Sequence, residues 1–207
     1  MRSVITGATG FVGLRLLTRL AEVTVLSRDA AKASRRLGGD VKVVTWDPMT
    51  GPPPAQSITG HDVVFHLAGE SVGEGRWTAR KKKTIYDSRV IGTKNLVDAL
   101  IACQDGPKVL VAASAVGFYG DQGDQNLTEQ SAKGQGFLAD LCQAWEKESM
   151  RAAEHGIRVV CLRIGVVLEQ GGGALSKMLL PFKMGVGGRL GHGKQWMSWI
   201  HLDDLVS

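Results

Sequence analysis

The sequence predicts a doubly wound α/β protein, in which helices cover both faces of a parallel sheet. Three observations support this prediction. Six short apolar runs rich in β-branched residues recur along the chain, helical patterns separate several of them, and a glycine-rich turn directly follows the first run. Near-continuous apolar strands that alternate with helices are typical of a parallel sheet buried on both faces. The 207 residues are enough to bury one such core.

The elements are expected in a regular order along the chain. The six strands are predicted at residues 3–6, 23–26, 41–44, 62–68, 108–114 and 158–163. The three main helices are predicted at Phe11 to Leu20, about Thr78 to Cys103 and about Phe137 to His155.

Two irregular regions separate these elements. Asp47 to Gly60 contains a proline run and is expected to be a surface connection between the third and fourth strands. Gly171 to Gly193 is rich in glycine around a short helical segment, Leu175 to Lys183. Because ligands of doubly wound proteins sit beyond the carboxyl ends of the strands, this excursion is expected to form a substrate wall. The alternative is a flexible surface loop.

Composition narrows the functional classes. The net charge of +5 is dispersed apart from the run Arg80 to Lys83, which favours an anionic small ligand over nucleic acid. The three cysteines have no metal-ligand spacing, so we expect free thiols and no metal site. No apolar run approaches the roughly 20 residues that cross a bilayer. We therefore expect no membrane span and a cytoplasmic location, or an organelle if a presequence has been removed.

A phosphate site is predicted directly after the first strand. The string TGATGFVG places Gly7, Gly10 and Gly13 in a G-x-x-G-x-x-G pattern that opens the first helix. Such a turn lets backbone N–H groups close on a pyrophosphate, and the helix N-terminus adds partial positive charge. We expect cofactor contacts from Thr9, Phe11 and Val12 as well. The pattern predicts a Rossmann dinucleotide-binding unit, which we place at residues 1–165, with the glycine-rich excursion returning to the core at residues 166–207.

The end of the second strand predicts which dinucleotide binds. Arg28 stands about twenty residues beyond the glycine motif, where an acidic residue would usually bind the ribose 2′-hydroxyl. A guanidinium suits the 2′-phosphate of NADP instead, and Ser27 adds a hydroxyl. NADP(H) is therefore preferred over NAD(H). Asp47 is either an acceptor for the adenine amino group or a turn former before Pro48.

These strings together resemble the extended short-chain dehydrogenase/reductase (SDR) superfamily. TGATGFVG looks like its fingerprint, HLAG like its fourth-strand motif beside the nicotinamide ribose, FYG like the segment after its fifth strand, and WIHLDDLV like its late His-x-x-Asp element. More narrowly, SAVGFYG, LADLCQAWE, LRIGVVL and GGGAL resemble an atypical epimerase-like branch, some members of which are called cell-division inhibitors or chloroplast-division factors. Relatives in that branch continue beyond the HLDD helix, so we expect the substrate-side region to be partial and the chain to be cut short.

The resemblance implies a set of catalytic positions that this chain fills differently. The family reaction uses a Tyr as acid/base and a Lys four residues later. Those positions fall on Phe137 or Leu138 and on Leu141 or Cys142, depending on register, and neither register supplies Tyr plus Lys. The supporting Asn of the preceding helix is replaced by Arg89.

Several residues remain as candidates for the site. The family serine is retained only as Ser114, which precedes Tyr119 by five residues rather than the usual four. The catalytic candidates are Ser114, Glu70 and Arg89, each with a structural role as its alternative. By the resemblance, Leu67, Ala68, Gly69, Arg89 and Ser114 lie beside the cofactor. The substrate-side candidates are Tyr119, Arg163, Trp196 and Trp199, and Arg163 is expected to bind either an anionic substrate or an internal carboxylate.

Two functional hypotheses follow. The first is an NADP(H)-dependent oxidoreductase or epimerase that acts on an unknown small molecule, with a nucleotide-sugar as one class that the resemblance implies. The second is a binding module, without appreciable turnover, in which NADP(H) sets a shape that a protein partner recognises. The resemblance also implies a homodimer through the helices at about 78–103 and 137–155.

Overall fold

The computed structural model describes residues 1–38, 41–189 and 191–207. Six strands form one parallel sheet in the order β3-β2-β1-β4-β5-β6. Their bounds are β1 Arg2–Thr6, β2 Glu22–Ser27, β3 Lys42–Thr45, β4 Val63–His66, β5 Val109–Ala115 and β6 Arg158–Ile164. The strand order reverses between β1 and β4, which confirms the predicted doubly wound arrangement and places the ligand crevice at this switch point. Leu190, within the predicted glycine-rich excursion, and residues 39–40 lie outside the described residues.

Helices pack on both faces of the sheet. Their bounds are α1 Phe11–Leu17, α2 Ala30–Leu37, α3 Ala79–Ala102, α4 Phe137–Met150, α5 Gly173–Lys183 and α6 Leu202–Val206. On one face, Leu96, Val97 and Leu100 of α3 pack against Val4 and Leu110 of the strands. On the opposite face, apolar side chains of α1 pack on a second cluster built around Ile5 and Val25. Alternate residues of each strand thus supply the two cores, as a pleated strand requires.

The first and third of the three main helices are shorter than predicted, and the second agrees closely. α1 ends at Leu17 rather than Leu20, and α4 ends at Met150, with a separate 3₁₀ turn at Ala153–His155. α3 begins just after Thr78, whose hydroxyl accepts a hydrogen bond from the Lys81 backbone N–H. That N-cap explains why the predicted start was within one residue of the observed one.

Two features of the fold were not predicted. α2 connects β2 to β3, and its N-cap Asp29 accepts from the Lys32 backbone N–H. Two short parallel strands, β7 Val166–Glu169 and β8 Trp199–His201, form a second sheet that ties the glycine-rich excursion to the end of β6. None of the helices in the described ranges is long and apolar enough to span a membrane.

Candidate functional site

A cleft of about 380 Å³ opens at the carboxyl ends of β1, β2 and β4. This is the position at which doubly wound proteins bind their ligands. The cleft is lined by the turn after β1 (Thr6–Gly10), the end of β2 with Ser27 and Arg28, the segment after β3 (Trp46, Pro48 and Met49), the segment after β4 (Leu67–Glu70), and Thr84, Asp87 and Ser88 of α3.

The glycine turn has the geometry of a phosphate cradle. The Gly10 N–H donates to the Gly7 carbonyl at 2.9 Å, and the Leu14 N–H donates to the Gly10 carbonyl at 2.9 Å, so α1 begins immediately at the turn. The backbone N–H groups of Phe11, Val12 and Gly13 precede that first helical bond, and they are left for a ligand. Phe11, Val12 and Gly13 themselves do not line the cleft walls.

Side chains at these glycines would block the packing. Gly7 has φ +75°, and a Cβ there would lie 2.8 Å from the Ala68 backbone nitrogen. A Cβ on Gly13 would lie 2.7 Å from the Ala8 Cα. The turn after β1 is therefore in backbone contact both with α1 and with the segment after β4. This close approach fits a dinucleotide whose pyrophosphate sits against bare backbone.

The β2 end of the cleft carries an exposed arginine. Arg28 lines the cleft and has no ion-pair or hydrogen-bond partner in the part of the chain that the structure describes. The neighbouring acid, Asp29, is occupied as the N-cap of α2. Ser27 donates its hydroxyl to the Asp29 carbonyl at 3.2 Å. In this corner of the cleft, the guanidinium of Arg28 is therefore available to bind an anionic group.

An aromatic residue beside this corner was missed by sequence reasoning. Trp46 is almost fully buried, donates its Nε1–H to the Gly51 carbonyl at 2.8 Å, and lines the cleft with Pro48 and Met49. Asp47 does not line the cleft, and its Oδ1 accepts from the Met49 backbone N–H at 3.0 Å. Asp47 was expected either to accept from the adenine amino group or to form a turn, and in the structure its carboxylate stabilises the turn before Met49.

The other end of the cleft carries Glu70. Its carboxylate Oε1 lies 2.5 Å from Lys81 Nζ, and its backbone N–H donates to the Ser88 hydroxyl at 3.0 Å. Two residues of α3, Lys81 and Ser88, thereby hold Glu70, which directly follows the HLAG motif. Glu70 is the one catalytic candidate of the sequence whose side chain lies at the cleft.

Arg89 is engaged within the protein. Its Nη1 donates to the Glu70 carbonyl at 2.9 Å and to the Ile85 carbonyl at 3.3 Å, and the guanidinium lies over the Trp145 ring at 5.1 Å. A Cβ on Gly69 would be 3.0 Å from this guanidinium. Burial lowers the pKa of Arg89. These contacts make Arg89 a support for the segment after β4.

The start of α4 carries the residues that the resemblance aligns with a catalytic Tyr and Lys. Phe137 packs edge-on against Trp77 at 5.8 Å, with Lys82 Nζ at 5.5 Å from its ring centroid. A Cβ on Gly117 would contact the Leu138 Cβ at 3.3 Å and the Cys142 Sγ at 3.9 Å. The i, i+4 pair that faces the turn after β5 is therefore Leu138 and Cys142. Burial raises the pKa of the Cys142 thiol.

Ser114 belongs to a buried polar network. Its hydroxyl donates to Glu146 Oε1 at 2.6 Å, and only 4% of the residue is exposed. Arg163 binds the same carboxylate through Nε and Nη2, at 2.9 and 2.8 Å. Its Nη1 also donates to the Tyr119 hydroxyl at 2.9 Å, and its guanidinium lies 3.5 Å from the Phe118 ring centroid. Arg163 was expected to bind either an anionic substrate or an internal carboxylate, and in the structure it binds the carboxylate of Glu146.

Glu146 was missed by sequence reasoning although it binds two of the predicted residues, Ser114 and Arg163. It lies 17 positions before Arg163 and 32 after Ser114, so no local pattern connects them. A signal was present in the strand-end position of Arg163, because a half-buried guanidinium requires a carboxylate from the neighbouring helix.

The glycine-rich excursion lies beside the crevice. Trp196 is 79% exposed and donates its Nε1–H to Asp124 Oδ1 at 2.7 Å, and Trp199 is 60% exposed. At the start of α5, Cβ atoms on Gly172 and Gly173 would each lie 2.9 Å from the ring of Phe11. The excursion thus rests on the first residue of α1.

Two further bonds tie the excursion to the rest of the protein. Lys177 Nζ donates to the Gly73 carbonyl at 3.1 Å, which joins α5 to the segment after β4. The His201 Nδ1 accepts from the Asp203 backbone N–H at 3.2 Å, and the Asp203 carboxylate pairs with Arg15 of α1. Within the described residues, no cluster of three or more His, Cys, Asp or Glu side chains could hold a metal ion.

The fold and the glycine-lined cleft define a dinucleotide-binding α/β protein. The chain belongs to the NAD dependent epimerase/dehydratase family, whose model matches residues 3–207. It is an NAD(P)-binding protein of the atypical extended SDR type.

Three relatives illustrate this membership. The epimerase family protein Mb2239 of Mycobacterium bovis is 38% identical over 98% of this chain. The crystal structure of human epimerase family protein SDR39U1 (isoform 2) with NADPH has a TM-score of 0.81 and 34% identity over 100% of this chain. The nucleoside-diphosphate sugar epimerase of Corynebacterium glutamicum has a TM-score of 0.82 and 36% identity over 100% of this chain. This chain spans 65% of the length of Mb2239, 68% of the human chain and 42% of the Corynebacterium chain.

Proposed function

We propose that this protein binds NADP(H) in preference to NAD(H) and acts as an oxidoreductase or epimerase on a small-molecule substrate. The observation that carries the proposal is the guanidinium of Arg28, which has no partner among the described residues and lies at the β2 corner of the cleft that contains the glycine turn. A 2′-phosphate placed there would form a charge-assisted hydrogen bond with the guanidinium. The neutral 2′-hydroxyl of NAD(H) would form only a weaker one. The NADPH in the human relative's structure supports the same choice.

The proposed cofactor extends along the cleft from β2 to β4. Its pyrophosphate meets Gly7, Thr9, Gly10 and the N–H groups of Phe11, Val12 and Gly13. Its adenosine end lies among Trp46, Pro48 and Met49, with Ser27 beside the 2′-phosphate. Its nicotinamide half lies along Leu67, Ala68 and Gly69. Arg89 supports this segment through its hydrogen bond to the Glu70 carbonyl. Asp47 has no contact role in this proposal, and Ser114 is placed in the buried network with Glu146 rather than at the cofactor.

Glu70 is the residue we assign to proton exchange with the substrate. A bound nicotinamide supplies or accepts a hydride, and the substrate oxygen must lose or gain a proton in the same cycle. Glu70 lies at the cleft and its carboxylate is held by Lys81 at 2.5 Å. On the α4 face toward the crevice, Leu138 has no titratable group, and burial raises the pKa of the Cys142 thiol, which makes it a poor base. We propose a nucleotide-linked sugar as the substrate class, a choice that the Corynebacterium relative's description supports.

Calorimetric titration with NADPH and NADH tests the cofactor assignment. We expect NADPH to bind more tightly, and we expect Arg28→Ala to weaken NADPH by about 1–3 kcal/mol, or about 5- to 150-fold, with NADH almost unchanged. Arg36→Ala removes an exposed arginine of α2 outside the cleft and is the matched control. Equal losses for both coenzymes with Arg28→Ala would refute the role of Arg28.

Turnover is tested separately with a panel of nucleotide-sugars, by following the absorbance of NADPH for net oxidation or reduction and the sugar configuration by NMR for epimerisation. The proposed enzyme oxidises or reduces one of them, and Glu70→Gln abolishes the change while NADPH affinity is retained. Retained turnover in Glu70→Gln would contradict the assignment of Glu70. The absence of turnover across carbonyl and sugar substrates would contradict the enzymatic part of the proposal.

A further inference from the structure

A buried histidine lies at the carboxyl end of β4, one residue before the segment that borders the cleft. His66 is fully buried, and both of its ring nitrogens face threonine hydroxyls. Nδ1 is 2.7 Å from Thr6 Oγ1 at the end of β1, and Nε2 is 2.9 Å from Thr93 Oγ1 in the middle of α3. Both threonines are also fully buried. The ring therefore bridges the central strand of the sheet and the long helix.

The hydrogen-bond directions in this bridge can be assigned from a third bond. Thr6 Oγ1 accepts from the Ala68 backbone N–H at 3.1 Å. Among the described residues, the acceptor within reach of the Thr6 hydroxyl proton is His66 Nδ1. Because Nδ1 accepts this bond, it carries no proton. The single proton of the neutral ring is therefore on Nε2, which donates to Thr93 Oγ1. The relay runs from Ala68 N–H through Thr6 and His66 to Thr93.

Burial, with a smaller contribution from the positive charge of Arg89, lowers the pKa of His66 to about 4. The ring is neutral at physiological pH, as the relay requires.

The relay fixes the backbone that lines the cleft at this end. The Leu67 N–H donates to the Thr6 carbonyl at 3.2 Å, and the Ala68 N–H is held by the Thr6 hydroxyl. The same peptide is in close contact with Gly7 of the phosphate turn. A rotated Thr6 side chain would release the Ala68 N–H and let this peptide turn into the cleft.

β4 and β2 lie on opposite sides of β1 in the sheet. With the 2′-phosphate at Arg28, on the β2 side, the Leu67–Gly69 segment on the β4 side meets the nicotinamide half. We infer that His66 is a positioning residue, which orients Thr6 and thereby holds Leu67 and Ala68 in the conformation that receives the nicotinamide half of the dinucleotide. This inference rests on the proposed NADP(H) site.

Truncated ligands separate the two halves of the site. Adenosine 2′,5′-bisphosphate reaches the Arg28 corner only, whereas NADPH spans the cleft. We expect His66→Leu to weaken NADPH about tenfold, the effect of one lost buried hydrogen bond, and to leave the affinity for the bisphosphate unchanged. His66→Asn offers an amide oxygen near the Nδ1 position and is expected to restore most of the NADPH affinity.

Two further variants control for general destabilisation. His61→Leu removes another part-buried histidine that contacts a threonine, Thr24, at the opposite end of the strands. It is expected to leave both affinities unchanged. Should His66→Leu fail to fold, Thr6→Val keeps the ring and the side-chain shape, removes the acceptor of the Ala68 N–H, and is expected to give the same tenfold loss for NADPH alone.

Equal losses for the two ligands, or unchanged NADPH affinity in both His66→Leu and Thr6→Val, would overturn the inference while leaving NADP(H) binding in place. Wild-type protein that binds neither ligand would refute the proposed function, and the inference would fall with it.

Discussion

Arg163 and Glu146 form a two-pronged ion pair beneath the turn that carries Phe118 and Tyr119. The guanidinium plane meets both carboxylate oxygens at 2.9 and 2.8 Å, and the two side chains are 20% and 14% exposed. The hydrogen bonds to Glu146 raise the pKa of Arg163. Arg163 therefore keeps its positive charge, and its bonds to Glu146 and Tyr119 hold β6, α4 and the turn after β5 together.

Breaking this pair should be costly. We expect Glu146→Gln and Arg163→Met each to lower the free energy of unfolding by about 3 kcal/mol, because each leaves a largely buried charge without its partner. The double variant should lose much less than the sum. Chemical denaturation measures all three, and additive losses would contradict the coupling. Asp98→Asn breaks a more exposed pair with Arg151 and should cost less than about 1 kcal/mol.

The buried His66 makes stability depend on pH. Its pKa is about 4 in the folded protein and near 6.5 when the chain is unfolded. Between these values the unfolded chain takes up a proton that the folded protein does not, so stability falls as the pH drops from about 6.5 toward 4. The full contribution is about 3 kcal/mol. Denaturation at a series of pH values should show this slope for the wild type and a shallower one for His66→Asn, and equal slopes would rule out His66 as the cause.

A single methyl group at Gly13 should disrupt the phosphate turn. Its Cβ would lie within 3 Å of Ala8 backbone atoms, which cannot move without displacing β1 or α1. We expect Gly13→Ala to cost about 1–3 kcal/mol of stability and to abolish detectable coenzyme binding. Gly171→Ala is the matched control, since a Cβ there meets nothing within 4 Å. Normal coenzyme affinity in Gly13→Ala would show that the turn does not form the binding surface.

The three cysteines should differ in reactivity. Burial raises the pKa of Cys161 to about 11 and also raises that of Cys142, so both remain protonated near neutral pH. We expect a thiol reagent at pH 8 to modify Cys103 first and the other two only after unfolding. Cys103→Ser should remove the fast phase. A fast phase that persists in this variant would contradict the assignment.

The sheet and its glycine turn could be predicted because their signals are local. The apolar runs are continuous in sequence, and Gly7, Gly10 and Gly13 stand at fixed intervals after one of them. The helical pattern predicted α3 closely, and its start coincides with Thr78, a residue type that favours the N-cap position. In contrast, α2 was missed because it is short, half of its eight residues are polar, and only Ala33 is buried.

The candidate site was predictable where a residue acts alone and less so where it acts through a partner. Arg28 was expected at the site from its distance to the glycine motif; it lines the cleft, and no side chain among the described residues pairs with it. The role of Arg163 stayed open until Glu146, from another helix, was in view. Trp46 was missed in favour of its neighbour Asp47, since side-chain direction at the end of a strand is decided by tertiary packing.

The seating of α5 on Phe11 links the mobility of the glycine-rich excursion to the first turn of α1. Phe11 supplies one of the N–H groups at the mouth of α1, and its ring lies against Gly172 and Gly173. Coenzyme that stiffens this first turn should also slow amide exchange in residues 173–183.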